Sequence, residues 1–582
     1  MKSLIEVDQV TFAHPSSESS QPTLKNISLK IEQGEFVAVI GSNGSGKTTL
    51  ARHLNALYVP NSGSVQIMGV DTRERNQRYL IREKIGMVFQ FPEDQIVAAT
   101  VEEDVAFGPE NLGLEPEEIH KRVRESLEIV DMWDYRFRSP YQLSAGQIQR
   151  VALAGVLAMR PQCIIFDEAT AMLDPAGRKQ VNQLVQELNQ QGITIILITH
   201  FMEEATQADR VIVMHAGKLV QDASPAIVFS NENKLKDLGL SLPEVTSLAK
   251  AMKGWIPEVN DKALSWEDFE RSLPGYSGKI NETESLQYEQ SNKIQDLEIV
   301  VKDLTYSYLK DSRLSQKALD KVSLQVPKGK VQALVGSTGS GKSTILQHLN
   351  ALLLPQEGEV YIGGHAIHQA DVNIKAVRRY AGLVFQNPEH QFFEQFVGDE
   401  IAYAVRMQGL DRKAIRERVE WAMDMVGLSF ELFKDRFTQA LSGGESRKVA
   451  LASTLIMQSE VLLLDEPTAG LDPRTKDEII KKLHELNLAS VTMVLSSHQM
   501  DLVAALADGV TVLQNGQVKM DASREDIFSK AEPLESLGLQ LPTIAKIKIL
   551  LRRLGWPIGS GVFTQQDLID VLERISGDQG YE

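Results

Sequence analysis

The sequence predicts an α/β protein in which one unit is written twice, each copy carrying a helical subdomain and ending in a small helical extension. Two observations predict this. First, a set of motifs recurs in the same order: "GSNGSGKTT" (41–49) returns as "GSTGSGKST" (336–344), "LSAGQ" (143–147) as "LSGGE" (441–445), "IIFDEAT" (164–170) as "LLLDEPT" (462–468), and "LITH" (197–200) as "LSSH" (495–498). Order kept at nearly constant spacing marks internal duplication. Second, apolar runs such as "ITIILIT" (193–199) and "VLLL" (461–464) have the length of buried strands and fall short of a membrane span.

The first element, "VAVIGSNGSGKTTL" (37–50), passes from an apolar strand through a glycine loop into a helix. This is G-x-x-x-x-G-K-[ST] in the setting it requires. Gly41, Asn43, Gly44 and Gly46 let backbone N–H groups turn inward around phosphate oxygens, and the helix N-terminus that follows favours the anion. Lys47 is expected to reach the β- and γ-phosphates, with Thr48 on Mg²⁺ and Thr49 completing the turn. Gly336, Thr338, Gly339, Gly341, Lys342, Ser343 and Thr344 repeat those places.

"CIIFDEAT" (163–170) and "VLLLDEPT" (461–468) are apolar strands ending in paired acids. Acids at the end of a buried strand imply a cation or chemistry. Asp167 and Asp465 fit the outer sphere of Mg²⁺, and Glu168 and Glu466 fit a base or orienter for attacking water. His200 and His498 end a second apolar strand, where a P-loop sheet places the γ-phosphate. Gln90 in "VFQFPEDQ" (88–95) and Gln386 in "VFQNPEHQ" (384–391) can sense Mg²⁺ or the attacking water, while Pro92 and Pro388 stiffen the next turn. Glu93, Asp94 and Glu389 offer acids to a basic partner.

Composition narrows the class. The chain has 582 residues, too many for one core, with 43% hydrophobic and 24% charged residues, as in soluble globular proteins. A formal net charge of −17 disfavours a broad nucleic-acid face. The N-terminus lacks the apolar region of a secretion signal, so a cytosolic location is expected. The single cysteine, Cys163, excludes a disulfide framework and thiolate clusters, and reads as a small buried hydrophobe.

The expected organisation is a nucleotide domain at 1–224 with an extension at 225–274, a polar tether at 275–295, and a second domain at 296–522 with an extension at 523–582. "SWEDFERSL" (265–273) and "TQQDLIDVLERI" (564–575) place Ser265 with Asp268, and Thr564 with Asp567, at capping-box spacing. Apolar residues at helical spacing in the extensions favour packing that holds the halves together.

The ordered set of glycine loop, Gln loop, "LSAGQ" or "LSGGE", paired acids, "MLDP" or "GLDP" and strand-end His resembles ABC-type ATPase domains, P-loop NTPases, over nearly the whole of both halves. The resemblance implies ATP and Mg²⁺ as cofactors and a head-to-tail pairing of the halves. One site would then combine Lys47, Thr48, Gln90, Asp167, Glu168 and His200 with Ser442 and Gly444. The other would combine Lys342, Ser343, Gln386, Asp465, Glu466 and His498 with Ser144 and Gly146. Asp174 and Asp472 would lie at the seam. His14 and Tyr308 would take the adenine-stacking position, His14 with less ring area. Ala145 stands where the signature has glycine, and Glu445, in place of Gln, is expected to add negative charge to the first site.

The segments after the glutamines, "FPEDQIVAATVEEDVAFGPENLGL" (91–114) and "NPEHQFFEQFVGDEIAYAVRMQGL" (387–410), together with the "LGL..P" tails, resemble the ATPase components of energy-coupling-factor importers and cobalt/nickel uptake ATPases. That resemblance implies a peripheral motor on the cytoplasmic face of the membrane. Its partners would be an integral membrane coupling subunit and a substrate-binding membrane subunit, with no nucleic acid. A soluble tandem ATPase acting on the ribosome and a tandem sugar-import ATPase are the alternatives; the short, non-basic linker speaks against the former.

Overall fold

The computed structural model describes residues 3–14, 22–171, 173, 175–276, 296–310, 315–386, 391–469, 471, 473–529, 534, 537, 539–559 and 561–577. The chain divides into two compact units, residues 1–250 with 260–271, and residues 251–259 with 272–582. The division runs through the extension expected at 225–274. The tether expected at 275–295 lies, beyond Tyr276, outside the described residues.

In the first unit the strands Phe36–Ile40, Thr194–Ile198 and Cys163–Asp167 are buried at every residue. Strands covered on both faces can be apolar throughout, as in a parallel sheet flanked by helices. They form a six-stranded sheet in the order Lys218–Ala223, Arg210–His215, Phe36–Ile40, Thr194–Ile198, Cys163–Asp167, Ile85–Val88. All neighbours are parallel except the 218–223 edge strand. A four-stranded antiparallel sheet carries Ser3–Phe12 between Leu24–Glu32 and Ser62–Ile67. The second unit repeats both sheets, with Val331–Val335 between Thr492–Ser496 and Gly509–Gln514, and Val461–Asp465 beyond Thr492–Ser496.

This strand order fixes the site. Ile198 pairs with both Val39 and Asp167, so the glycine loop, the strand-end His and the paired acids emerge side by side at the carboxyl ends of adjacent strands. Ser496 pairs with Leu334 and Asp465 in the same way. Ligands of open α/β sheets bind at such ends. Cys163 is fully buried, and burial pushes its thiol well above the ordinary range.

The helical subdomains are Val101–Asn111, Pro116–Ile129 and Ala145–Ala158, and Val397–Arg406, Arg412–Met425 and Gly443–Leu455. Both signature helices start in full capping boxes, Ser144 with Gln147 and Ser442 with Glu445. In the extensions, Ser265 Oγ accepts the Asp268 N–H at 3.2 Å, and Thr564 and Asp567 cap each other reciprocally at 3.2 and 2.8 Å.

One extension helix, Thr543–Arg553, buries a lysine. Lys548 is 2% exposed; its Nζ donates to the Val562 carbonyl at 3.4 Å and lies 4.9 Å from the Phe563 ring centroid. Burial, then Arg552 and Arg524, pull its pKa down to about 8 against the opposing pull of Glu525. Folding therefore disfavours the ammonium form. The cost is full below about pH 8 and vanishes as pH rises toward the ordinary lysine value. Lys548→Met should raise the free energy of unfolding at pH 7, read from denaturant titrations, by up to about 3 kcal/mol, with the gain closing by about pH 10.4. A gain that stays constant over that range would rule out the buried charge as its cause.

Candidate functional site

Each glycine loop is shaped by backbone that only glycine adopts cheaply. Gly46 and Gly341 cap their helices at φ 99° and 104°, and a Cβ on Gly41 would stand 2.4 Å from the Met214 carbonyl oxygen. Asn43 with Gly44, and Thr338 with Gly339, form the outer turn of each loop. Lys47 Nζ donates to the Gly41 and Ser42 carbonyls at 2.9 and 3.2 Å. Lys342 Nζ does the same to Gly336 and Ser337 at 2.8 and 3.0 Å. Each ammonium is therefore held over the loop that would carry the phosphates.

Thr48 Oγ1 donates to Asp167 Oδ1 at 3.0 Å, and the Ser343 hydroxyl bonds the Asp465 carboxylate. Asp167 is 3% exposed; burial first, and the neighbouring Glu168 second, push its carboxyl up to about 6. Asp465 is raised by burial against hydrogen bonds from Ser496 and Ser343. A buried carboxyl raised in this way is a group that a cation would stabilise as the anion. Hydroxyl, carboxylate and carboxamide oxygens make an all-oxygen donor set, which suits Mg²⁺ completed by substrate phosphates. Among the described residues no cluster of three His, Cys, Asp or Glu side chains stands ready to hold a metal by itself.

The glutamates sit at strained backbone. Glu168 and Glu466 have φ of 52° and 48° in the left-handed region, each held there by its N–H donating to the Ile198 or Ser496 carbonyl. Glu168 Oε1 lies 2.5 Å from His200 Nε2 and 3.7 Å from Lys47 Nζ, and its Oε2 accepts from Gln90 Nε2 at 3.0 Å. Burial would raise the Glu168 carboxyl, but His200 and Lys47 together hold it below the ordinary value. Glu466 Oε1 lies 2.9 Å from His498 Nδ1. The first half thus brings Lys47, Thr48, Gln90, Asp167, Glu168 and His200 together as the sequence implied. The second does so for Lys342, Ser343, Asp465, Glu466 and His498.

His14 Nε2 is 3.5 Å from Thr49 Oγ1, and Tyr308 Oη is 3.2 Å from Thr344 Oγ1, so both rings stand against their glycine-loop helix. His14 is also flanked edge-on by Phe12 and Tyr58. The charge expected from Glu445 is compensated in place. Its carboxylate accepts from Arg436 at 2.9 Å and from the Ser442 N–H at 2.8 Å, because a Glu three residues into the helix completes the capping box. Gly444 is buried, and a Cβ there would meet Thr475 at 3.4 Å. At Gly146 a Cβ would meet Leu173 at 3.6 Å. Asp174, Asp472, Pro388 and Glu389 lie outside the described residues, as does the Ala145 side chain.

The stretch after Gln90 borders the site. Pro92–Gln95 form a 3-10 turn with Pro92 buried, and a depression of about 430 Å³ is lined by Thr48, Tyr58, Gln90, Phe91, Asp94 and Asp167. Gln95 pins the turn back: its Oε1 accepts the Phe89 N–H at 3.2 Å and its Nε2 donates to the Met87 carbonyl at 3.1 Å. That role was not assigned from the sequence, although the glutamine recurs as Gln391. Two further residues were missed. Ser496 Oγ donates to Asp465 at 2.5 Å and accepts the Glu466 N–H at 3.1 Å. Arg447, buried, donates to the Phe385, Gln386 and Ala469 carbonyls. The signal was the departure of each from its partner in the first half, Ile198 and Gln149.

A glycine loop, paired acids and strand-end His on one sheet, with a capped signature helix, define an ATP-hydrolysing cassette. The family model for "ABC transporter" matches residues 24–171 and 319–469, and the chain belongs to that family; it is an ABC-type ATPase with two cassettes. It is 35% identical over 555 residues to a Caldanaerobacter subterraneus protein provisionally named an ABC transporter ATP-binding protein, covering 93% of this chain and 95% of the relative. The energy-coupling factor transporter ATP-binding protein EcfA1 of Clostridium novyi is 52% identical over 274 residues, 47% of this chain and 98% of the relative. Among solved structures, cbiO1 from Clostridium perfringens, part of the ABC transporter complex cbiONQ, is 32% identical at a TM-score of 0.37, covering 44% of this chain and 99% of that one.

Proposed function

We propose that the chain is the ATP-hydrolysing motor of an energy-coupling-factor-type importer, in which two nucleotide cassettes close on ATP and drive micronutrient uptake, of a vitamin or a metal ion, through separate membrane subunits. The observation that carries the reading is the 52% identity to an EcfA1 protein across almost all of that protein's length. Two features support it. No helix among the described residues is long and apolar enough to cross a membrane, which agrees with a motor that works on separate membrane subunits. The acidic turn 92–95 also borders the depression that reaches Asp167 and Thr48, which supports reading it as a docking element close to the chemistry.

In this reading Lys47 and Lys342 hold the β- and γ-phosphates. Thr48, Asp167 and Gln90, or Ser343, Asp465 and Gln386, would hold Mg²⁺, which when bound would supply charge neutralisation at the transferred phosphoryl group. Glu168 and Glu466 orient the attacking water, and His200 and His498 fix those carboxylates and face the γ-phosphate. The Ser144–Gly146 and Ser442–Gly444 helix starts each close on the phosphate of the opposite cassette, a gain that lasts only while the γ-phosphate is present.

Glu93 and Asp94 at the turn, with Glu389 in the second half, would meet basic residues of the membrane subunit. Charge reversal by Glu93→Lys and Glu389→Lys should release the membrane subunit from a detergent pull-down while basal ATPase activity survives. Unchanged assembly would count against the docking role.

A further inference from the structure

The short helix Met202–Ala205, just after His200, carries a buried carboxylate that belongs to neither the phosphate nor the Mg²⁺ set. Glu204 is 2% exposed. Three donors from three places converge on it: Thr170 Oγ1 at 2.8 Å, Asn182 Nδ2 at 3.2 Å and Thr199 Oγ1 at 2.5 Å. Thr170 lies two residues beyond Glu168, Thr199 directly precedes His200, and Asn182 sits on the helix Pro175–Gln190. Thr199 Oγ1 also accepts the Phe201 N–H at 2.9 Å, and Phe201 carries the Arg178 guanidinium 3.5 Å from its ring centroid.

The second half is built differently. The residues in register with Glu204, Asn182 and Phe201 are Leu502, Ile480 and Gln499. Leu502 is buried. There the Gln499 carboxamide takes the Thr468 hydroxyl at 3.2 Å, and Ser496 Oγ bridges Asp465 and the Glu466 N–H. The same segment is thus fastened by a central carboxylate in one half and by scattered neutral groups in the other.

We propose that Glu204 is a positioning residue for the first ATP site. By tying the turn after Glu168 to the strand end before His200, it holds these two side chains in contact, a function that the second half lacks at this place. A buried carboxylate costs stability unless its bonds are satisfied, and three donors satisfy this one. Glutamine can keep the bonds from Thr170 and Asn182 on its carbonyl oxygen, but its amide cannot accept from Thr199. Leucine leaves all three donors unpaired.

The inference rests on Glu168 and His200 acting as proposed above, so Glu168→Gln is measured beside the Glu204 variants in the full-length chain. Glu204→Leu should remove at least about two thirds of the turnover that Glu168→Gln removes, with KM for ATP within about twofold of wild type. Glu204→Gln should remove a smaller share, about one third. A folded Glu204→Leu protein with intact turnover, or one whose KM rises at unchanged kcat, would overturn the proposal. If Glu204→Leu fails to fold, wild-type turnover in Glu204→Gln overturns it. Intact turnover in Glu168→Gln would instead overturn the role given to Glu168 itself.

Discussion

Replacing Glu168 by Gln, or Glu466 by Gln, lowers steady-state ATP turnover, and replacing both lowers it by about a hundredfold or more. The carboxamide keeps the shape of the side chain and loses the negative oxygen that orients and deprotonates water. Both glutamates occupy the left-handed region, at φ 52° and 48°, held by backbone hydrogen bonds to the neighbouring strand and faced by a histidine at 2.5 or 2.9 Å. The substitution leaves those restraints in place, so lost turnover reports chemistry rather than folding. Their surroundings differ: Glu168 has Gln90 and Lys47 within reach, whereas the Glu466 turn is held through Ser496. Unequal losses are therefore expected in the two single variants. Phosphate release measured on each settles it. Abolition by one change and no effect from the other would contradict two competent sites.

The second large effect is on binding. Lys47→Ala and Lys342→Ala should each weaken ATP binding at their own site by about 10- to 100-fold. Each ammonium is already oriented by two loop carbonyls, at 2.9 and 3.2 Å or 2.8 and 3.0 Å, so little reorganisation remains when phosphates arrive. In the first half the loss is compounded, because Lys47 is one of the charges that keep the Glu168 carboxyl low against its burial. Titration with a fluorescent ATP analogue should show two tight sites in the wild type and one in either variant. Two tight sites in Lys47→Ala would contradict the placement.

The duplicated motifs and the apolar strands were legible because each rests on local chemistry. A glycine loop needs its φ values, and a buried strand needs unbroken apolar residues. The contacts Thr48–Asp167 and His200–Glu168 followed from strand-end motifs brought together by sheet order. What escaped was long-range pairing. Glu445 looked like an added charge because Arg436, nine residues earlier, carries no signature of its partner. Nothing local in "FMEEA" (201–205) says that Thr170, Asn182 and Thr199 converge on Glu204. Ser496 and Arg447 escaped for the same reason: their importance lies in which carboxylates and carbonyls they reach across the fold.

In the proposed function, ATP hydrolysis in this chain is handed to a membrane partner. Affinity purification of the full-length chain from detergent-solubilised membranes of its own cells tests that most directly. The expected result is recovery of an integral membrane coupling subunit together with a small substrate-binding membrane subunit, with ATPase activity in the eluted complex. Recovery with ribosomes and no integral membrane protein would contradict it.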